Sequence, residues 1–177
     1  PHAWMSPKRA INYVDKIADA FIKIDPEGGL EYKSNASTYK AKLELLDKEL
    51  RDSLSLIPKE RRFLVTCEGA FTYLARDYGM EEGYLWPVNS ESQVTPRRMV
   101  NLIKTIKENK VPTIFCESTV SSEAQMEVAK SSGAVFGGTF YVDSLSDLNG
   151  PAPTYIDLLR HNVELITEGL SLSGEKK

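Results

Sequence analysis

The sequence is short of four things: histidine, cysteine, net charge and long apolar runs. Its 177 residues contain two histidines and two cysteines, and the formal net charge is −3. A charge this near neutral argues against nucleic acid or an anionic membrane surface as a partner. No apolar stretch reaches roughly 18 residues, the length that a membrane-spanning helix needs. Two cysteines do not by their number fix a redox compartment. No internal repeat or low-complexity segment is visible. There is no leader pattern, and the chain opens on Pro1-His2 rather than on methionine, so it reads as a fragment or a processed chain. With 41% hydrophobic and 27% charged residues, the composition suits one good core, or one domain with a piece of another.

The apolar pattern changes period part-way along. Residues 6–25 recur at helical steps through Ile11, Val14, Ile17, Ala18, Phe21 and Ile22, with Ser6 at the N-cap position and Pro7 at the first helical position. Asp25-Pro26-Glu27-Gly28-Gly29 breaks that helix. A long helix follows over residues 31–56. Its stripe of Tyr39, Leu43, Leu46, Leu50 and Leu54 is narrow for a buried helix and fits one lying along the outside of two bodies. From residue 61, strands alternate with helices. Strands are expected at residues 63–67, 84–86, 112–116 and 134–136, and helices at 69–78, 95–109, 121–131 and 152–169. That alternation predicts an α/β fold, a four-stranded mainly parallel sheet flanked by helices and preceded by the long helix. Residues 171–177 read as a frayed tail.

In open α/β sheets ligands collect at the carboxyl ends of the strands. Glu68, Glu117 and Asp143 follow the first, third and fourth strands, so three acids gather at one edge. Carboxylates crowded without a cation raise one another's pKa, and a bound metal removes that penalty. His2 is the imidazole nearest a motif. Taken singly, each of these residues has a plain reading: a helix cap for Glu68, loop chemistry for Asp143, packing for His2 and for His161 in the last helix.

Five ordered motifs change the balance. They are Pro1-His2-Ala3-Trp4, then residues 65–73 (Val-Thr-Cys-Glu-Gly-Ala-Phe-Thr-Tyr), then residues 87–96 with Pro87, Asn89, Glu91 and Thr95-Pro96, then Glu117-Ser118-Thr119-Val120, and Tyr141-Val142-Asp143-Ser144-Leu145. In this order, with 66 residues from His2 to Glu68 and 75 from Glu68 to Asp143, the chain resembles the cluster A-I solute-binding proteins, the metal-binding lipoproteins and periplasmic proteins of bacterial manganese, iron and zinc ABC importers. The resemblance implies two α/β lobes joined by one rigid helix, with the metal between them. Residues 1–30 would be a remnant of the N-terminal lobe, 31–58 the inter-lobe helix, and 59–177 the C-terminal lobe. His2 would be the second histidine ligand, with Glu68 and Asp143 the ligands of the C-terminal lobe. A first histidine would lie upstream of Pro1, and self-association of the isolated chain is expected from apolar positions such as Phe21 and Ile22. Glu117 and Ser118 are candidates to support the ligands from behind.

Members that take zinc usually carry histidine at the third ligand position, and manganese and iron members carry glutamate. Glu68 therefore points to Mn²⁺, with Fe²⁺ and Zn²⁺ as alternatives. Imidazoles and carboxylates together offer more oxygen than a tetrahedral zinc site prefers, although Zn²⁺ outranks Mn²⁺ in intrinsic affinity. The implied partner is a membrane permease, the location the periplasm or the outer face of the cytoplasmic membrane, and no reaction is catalysed. A zinc-specific protein of the same family, a surface adhesion or interaction module, and a His/Glu/Asp metalloenzyme are the rival readings. The loop of residues 86–91 with Gln93 reads as structural or transporter-facing. Cys67 and Cys116 end strands expected to lie side by side, where they meet either as a disulfide, favoured outside the cytoplasm, or as two buried thiols.

Overall fold

The computed structural model describes residues 1–89 and 94–171. The part of the 86–93 loop at residues 90–93, and the tail at residues 172–177, lie outside the described residues. A turn of 3₁₀ helix, Ala3–Met5, leads into α1, Pro7–Ile24, and α2, Gly29–Ser55. The two helices form a hairpin. Its turn is closed by the Asp25 carboxylate, which accepts from the Gly28 N–H and the Tyr32 hydroxyl.

At 27 residues, α2 is roughly 40 Å long at 1.5 Å per residue. Leu43, Leu46, Leu50 and Leu54 are buried along one stripe, while Tyr39 is half-buried. The stripe packs on α6, Tyr155–Ser171, and Arg160 of α6 holds Glu49 of α2 through both carboxylate oxygens. Beyond its first turns α1 buries little, and Ile17, Phe21 and Ile24 remain exposed.

The remaining elements alternate: β1, Phe63–Glu68; α3, Thr72–Tyr78; β2, Glu81–Trp86; α4, Pro96–Glu108; β3, Thr113–Glu117; α5, Glu123–Ser132; β4, Val135–Phe140. Every strand pairing is parallel. The ladders run within two pairs, β1 with β2 and β3 with β4. The four strands expected from the sequence are therefore present as two two-stranded ladders rather than one continuous ladder. Where β1 meets β3, side chains make the links: Cys67 is joined to Cys116 by a disulfide, with Cα atoms 4.9 Å apart. The Glu68 N–H also points at the Glu117 carboxylate. Side chains alternate across both strands. Leu64 and Phe115 enter the core under α2, α3 and α6, while Val65, Cys67, Ile114 and Cys116 enter the core under α4 and α5. Both faces are covered, as parallel sheets require.

Two strands run longer than expected: β2 starts at Glu81, three residues before the expected start at 84, and β4 runs past its expected end at 136. The strand expected to end at residue 136 continues in β4 through Gly137 and Gly138 to Phe140, with a register shift against β3. A Cβ on Gly137 would meet Thr113 and lie 2.6 Å from Phe115, so glycine there permits close strand packing. The extension carries Tyr141 to Asp143 to the same edge as Glu68 and Glu117.

The Cys67–Cys116 bond closes a loop of sequence separation 49. Reduction should lower unfolding stability by about 2–4 kcal/mol. Denaturant midpoints with and without a thiol reductant measure this, and coincident curves would show that the bond adds nothing.

Candidate metal centre

Three strand ends and the N-terminal segment build the site. Glu68 is the last residue of β1 and is 7% exposed. Its backbone carbonyl accepts from Thr66 Oγ1 and from the Ala70 N–H, both bonds locking the turn after the strand. Its side-chain Oε1 accepts from the Asn89 N–H at 2.8 Å. Glu117, the last residue of β3, is 4% exposed and lies behind Glu68, its two oxygens 3.4 and 3.3 Å from the Glu68 nitrogen. Burial pushes the Glu117 carboxyl up to about 8, against the pull of backbone N–H donors, and the neighbouring Glu68 carboxylate adds to the rise. Ser118 follows. Its N–H donates to the Phe140 carbonyl, and its hydroxyl meets that of Ser144, next to Asp143.

His2 is 4% exposed and has a left-handed backbone, φ 61°. Its Nε2 lies 3.6 Å from Asp143 Oδ1, and its Nδ1 is buried with no hydrogen-bond partner. A spacing of 3.6 Å is too long for a good hydrogen bond. It is close to the separation of two atoms each about 2.1 Å from one ion at angles of about 90–110°, which is roughly 3.0–3.4 Å. An imidazole nitrogen beside a carboxylate suits a first-row divalent metal. The Asp143 side chain is 44% exposed.

The structure thus brings His2 and Asp143 together and sets Glu68, Glu117 and Ser118 along the same edge. Glu68 does not close a three-way cluster with His2 and Asp143. Among the described residues, the one trio of ligand-type atoms within 4.8 Å of one another is Cys67, Cys116 and Glu117. Its sulfurs are joined to each other, so no thiolate is offered there. His161 stands apart, with Nε2 3.0 Å from the Thr139 carbonyl and its ring edge-on to Tyr141.

Sequence reasoning missed what holds His2 in place. The Trp4 indole donates to the Val142 carbonyl at 3.1 Å, and the Tyr155 hydroxyl donates to the Trp4 carbonyl. Ser6 does not cap α1 with its side chain. Its hydroxyl donates instead to Asp77 Oδ2 at 2.8 Å. Arg9 meets both oxygens of the same carboxylate at 2.8 and 2.7 Å. Trp4 was legible within its motif, but nothing in the sequence marks Asp77, because its partners lie 68 and 71 residues away.

The comparisons with known proteins bear on this arrangement. The profile of the family described as zinc-uptake complex component A, periplasmic (ZnuA), matches residues 1–169. The chain belongs to that family. The iron-binding protein YfeA of Yersinia pestis is 49% identical over 169 residues, covering 96% of this chain and 54% of YfeA. A manganese-bound periplasmic metal-binding protein of Candidatus Liberibacter asiaticus superposes with a TM-score of 0.89 at 40% identity, covering 96% of this chain and 63% of that one. The periplasmic zinc-binding protein TroA of Treponema pallidum superposes at 0.91 with 29% identity, covering 97% of this chain and 64% of its own. This ZnuA-family chain spans about half the length of YfeA. Solved relatives named for manganese and zinc share its α/β architecture. The ZnuA family is one of substrate-binding transport proteins.

The Asp77 clamp makes a pH prediction. The Arg9 hydrogen bonds hold the Asp77 carboxyl below its ordinary value of 3.8. Such a group stabilises the fold above the unfolded value, and its contribution disappears as pH falls through the lowered folded value. Asp77→Asn should lower the melting temperature at pH 7 and flatten the acid limb below 3.8. An acid limb identical to wild type in thermal melts across pH would show that the clamp contributes nothing.

Proposed function

We propose that this chain carries the metal-binding edge of the extracytoplasmic substrate-binding component of an ABC importer. Its cargo is a divalent first-row metal, Mn²⁺ foremost, with Fe²⁺ and Zn²⁺ able to occupy the site. His2, Glu68 and Asp143 are its donors. The observation that carries the reading is the pair of His2 Nε2 and Asp143 Oδ1 at 3.6 Å, flanked by the buried Glu68 and reached from three converging chain segments.

The cargo is captured and released, and no bond within it is made or broken. On this reading the protein is not an enzyme. It works in the periplasm or at the outer face of the cytoplasmic membrane and hands the ion to a permease. Residues 1–30 belong with a first lobe, 31–58 form the connecting helix, and 59–177 form the second lobe. Glu68 supplies oxygen where histidine would supply nitrogen, and harder donors favour Mn²⁺ in the choice among available ions. Zn²⁺ still binds, because its intrinsic affinity for such donors is higher than that of Mn²⁺.

Titration of the purified protein with Mn²⁺ and with Zn²⁺, wild type beside Glu68→Ala and Asp143→Ala, tests the reading. Stoichiometric binding is expected in the wild type. Loss of a supporting partner alone costs about 10–100-fold in metal affinity, so either ligand variant should lose at least about 100-fold. Tight binding that ignores both substitutions would remove these residues from the site.

A further inference from the structure

Among the described residues, three that are not glycine have a positive φ: His2, Asn89 and Lys110. Lys110 lies just past the C-terminal end of α4. The other two lie at the candidate metal centre, His2 beside Asp143 and Asn89 beside Glu68. A left-handed backbone on a side-chain-bearing residue is uncommon, and such outliers cluster where a site demands them. His2 carries a proposed donor atom. Asn89 does not, and it is exposed, yet its backbone N–H donates to Glu68 Oε1 at 2.8 Å.

We propose that Asn89 is a positioning residue that fixes Glu68 as a one-oxygen donor to the cargo, an inference resting on the proposed role of Glu68 as a ligand. The segment Trp86-Pro87-Val88-Asn89 leaves β2 directly beside Glu68. Trp86 is the register partner of Glu68, and the Trp86 carbonyl accepts from the Gly69 N–H. The backbone on both sides of the Asn89–Glu68 bond is therefore tied to the sheet. The left-handed turn at Asn89, φ 54°, aims its N–H back at the carboxylate, and asparagine is among the residues that tolerate this conformation best. The hydrogen bond occupies one lone pair of Oε1 and restrains rotation of the carboxylate, which favours Oε2 as the freer oxygen. Oε2 is then the oxygen offered to the metal.

The consequence is a limit on the number of donors. Zn²⁺ is satisfied by four, whereas Mn²⁺ accepts more oxygens. A Glu68 released from Asn89 would present both oxygens more freely, which Mn²⁺ accommodates more readily than Zn²⁺. Asn89 thus affects the balance between the two ions and not only affinity.

The test compares wild type, Asn89→Val, Asn89→Gly and Glu68→Ala in titrations with Mn²⁺ and Zn²⁺, alongside melting temperatures of the metal-free proteins. Valine disfavours positive φ, and glycine keeps both that conformation and the N–H. Asn89→Val should weaken Zn²⁺ about tenfold, in keeping with the loss of one hydrogen bond to a charged group, and Mn²⁺ clearly less. Asn89→Gly should restore wild-type affinity for both. If Asn89→Val also lowers the metal-free melting temperature, Asn89→Ala replaces it. Equal losses for the two ions, or a glycine variant as weak as valine, would overturn the proposal. So would valine and glycine variants that both match wild type while Glu68→Ala loses metal, an outcome that leaves Glu68 a ligand and Asn89 irrelevant. If Glu68→Ala itself retains wild-type binding, the ligand assignment fails first and takes this inference with it.

Discussion

The seam between β1 and β3 is the constraint on which the edge of this molecule depends. Each strand has its ladder partner on the outer side, β2 for β1 and β4 for β3. What crosses the seam at the carboxyl end is a disulfide and a buried carboxylate facing a backbone amide. The covalent link fixes Cys67 and Cys116, the residues immediately before Glu68 and Glu117. The separation of the two strand ends is thus set by covalent geometry and not by the marginal energies of individual hydrogen bonds. Glu68 hangs from one half and Asp143 follows β4 on the other, so their relation passes through this seam.

The N-terminal segment is placed by a different means. Met5 is fully buried, and Trp4, Ser6 and Arg9 each bond to groups more than 60 residues away in sequence. The anchors reach separate parts of the fold: Val142 in the loop after β4, Tyr155 on α6, and Asp77 on α3. Three anchors on three elements leave a short segment little freedom. The left-handed turn at His2 then directs its imidazole toward Asp143. The indole of Trp4 and the carbonyl of Val142 make the closest tie, because Val142 and Asp143 are consecutive. A shift of the Asp143 loop would draw on Trp4, and through it on His2.

Much of this was legible in the sequence, and the limits have physical causes. Helical periodicity located α1 and α2 to within two residues at each end, because amphipathic stripes and the Asp-Pro-Glu-Gly-Gly break are local signals. The placement of Glu68 and Glu117 at strand ends followed from β-branched and aromatic runs that close on an acid. The extension of β4 was not legible, because a glycine pair reads as a breaker unless one knows that Phe115 and Thr113 crowd against it. The division into two ladders was likewise out of reach, since period-two patterning reports which face a side chain takes and not which neighbour the backbone bonds. The Ser6–Arg9–Asp77 clamp and the Asn89 amide depend on tertiary proximity or on a backbone angle, neither of which leaves a pattern.

The proposed donors are unequal in a way that would bear on capture and release. Glu68 is buried, tied at its backbone carbonyl and at one side-chain oxygen, and has a buried carboxylate behind its nitrogen. Asp143 lies on a loop with its side chain 44% exposed, and its neighbours Ser144 and Val142 are held by single hydrogen bonds. A site with one rigid and one compliant carboxylate loses less on ordering than a fully mobile one, yet keeps a donor that can withdraw. Were both carboxylates clamped, affinity would rise at the expense of an exit route. Were both loose, several side-chain rotamers would have to be frozen for each ion taken up. The seam disulfide provides the rigid half and the loop after β4 the compliant one. On the proposed reading, release of the ion would begin at Asp143, the more exposed of the two proposed carboxylate donors.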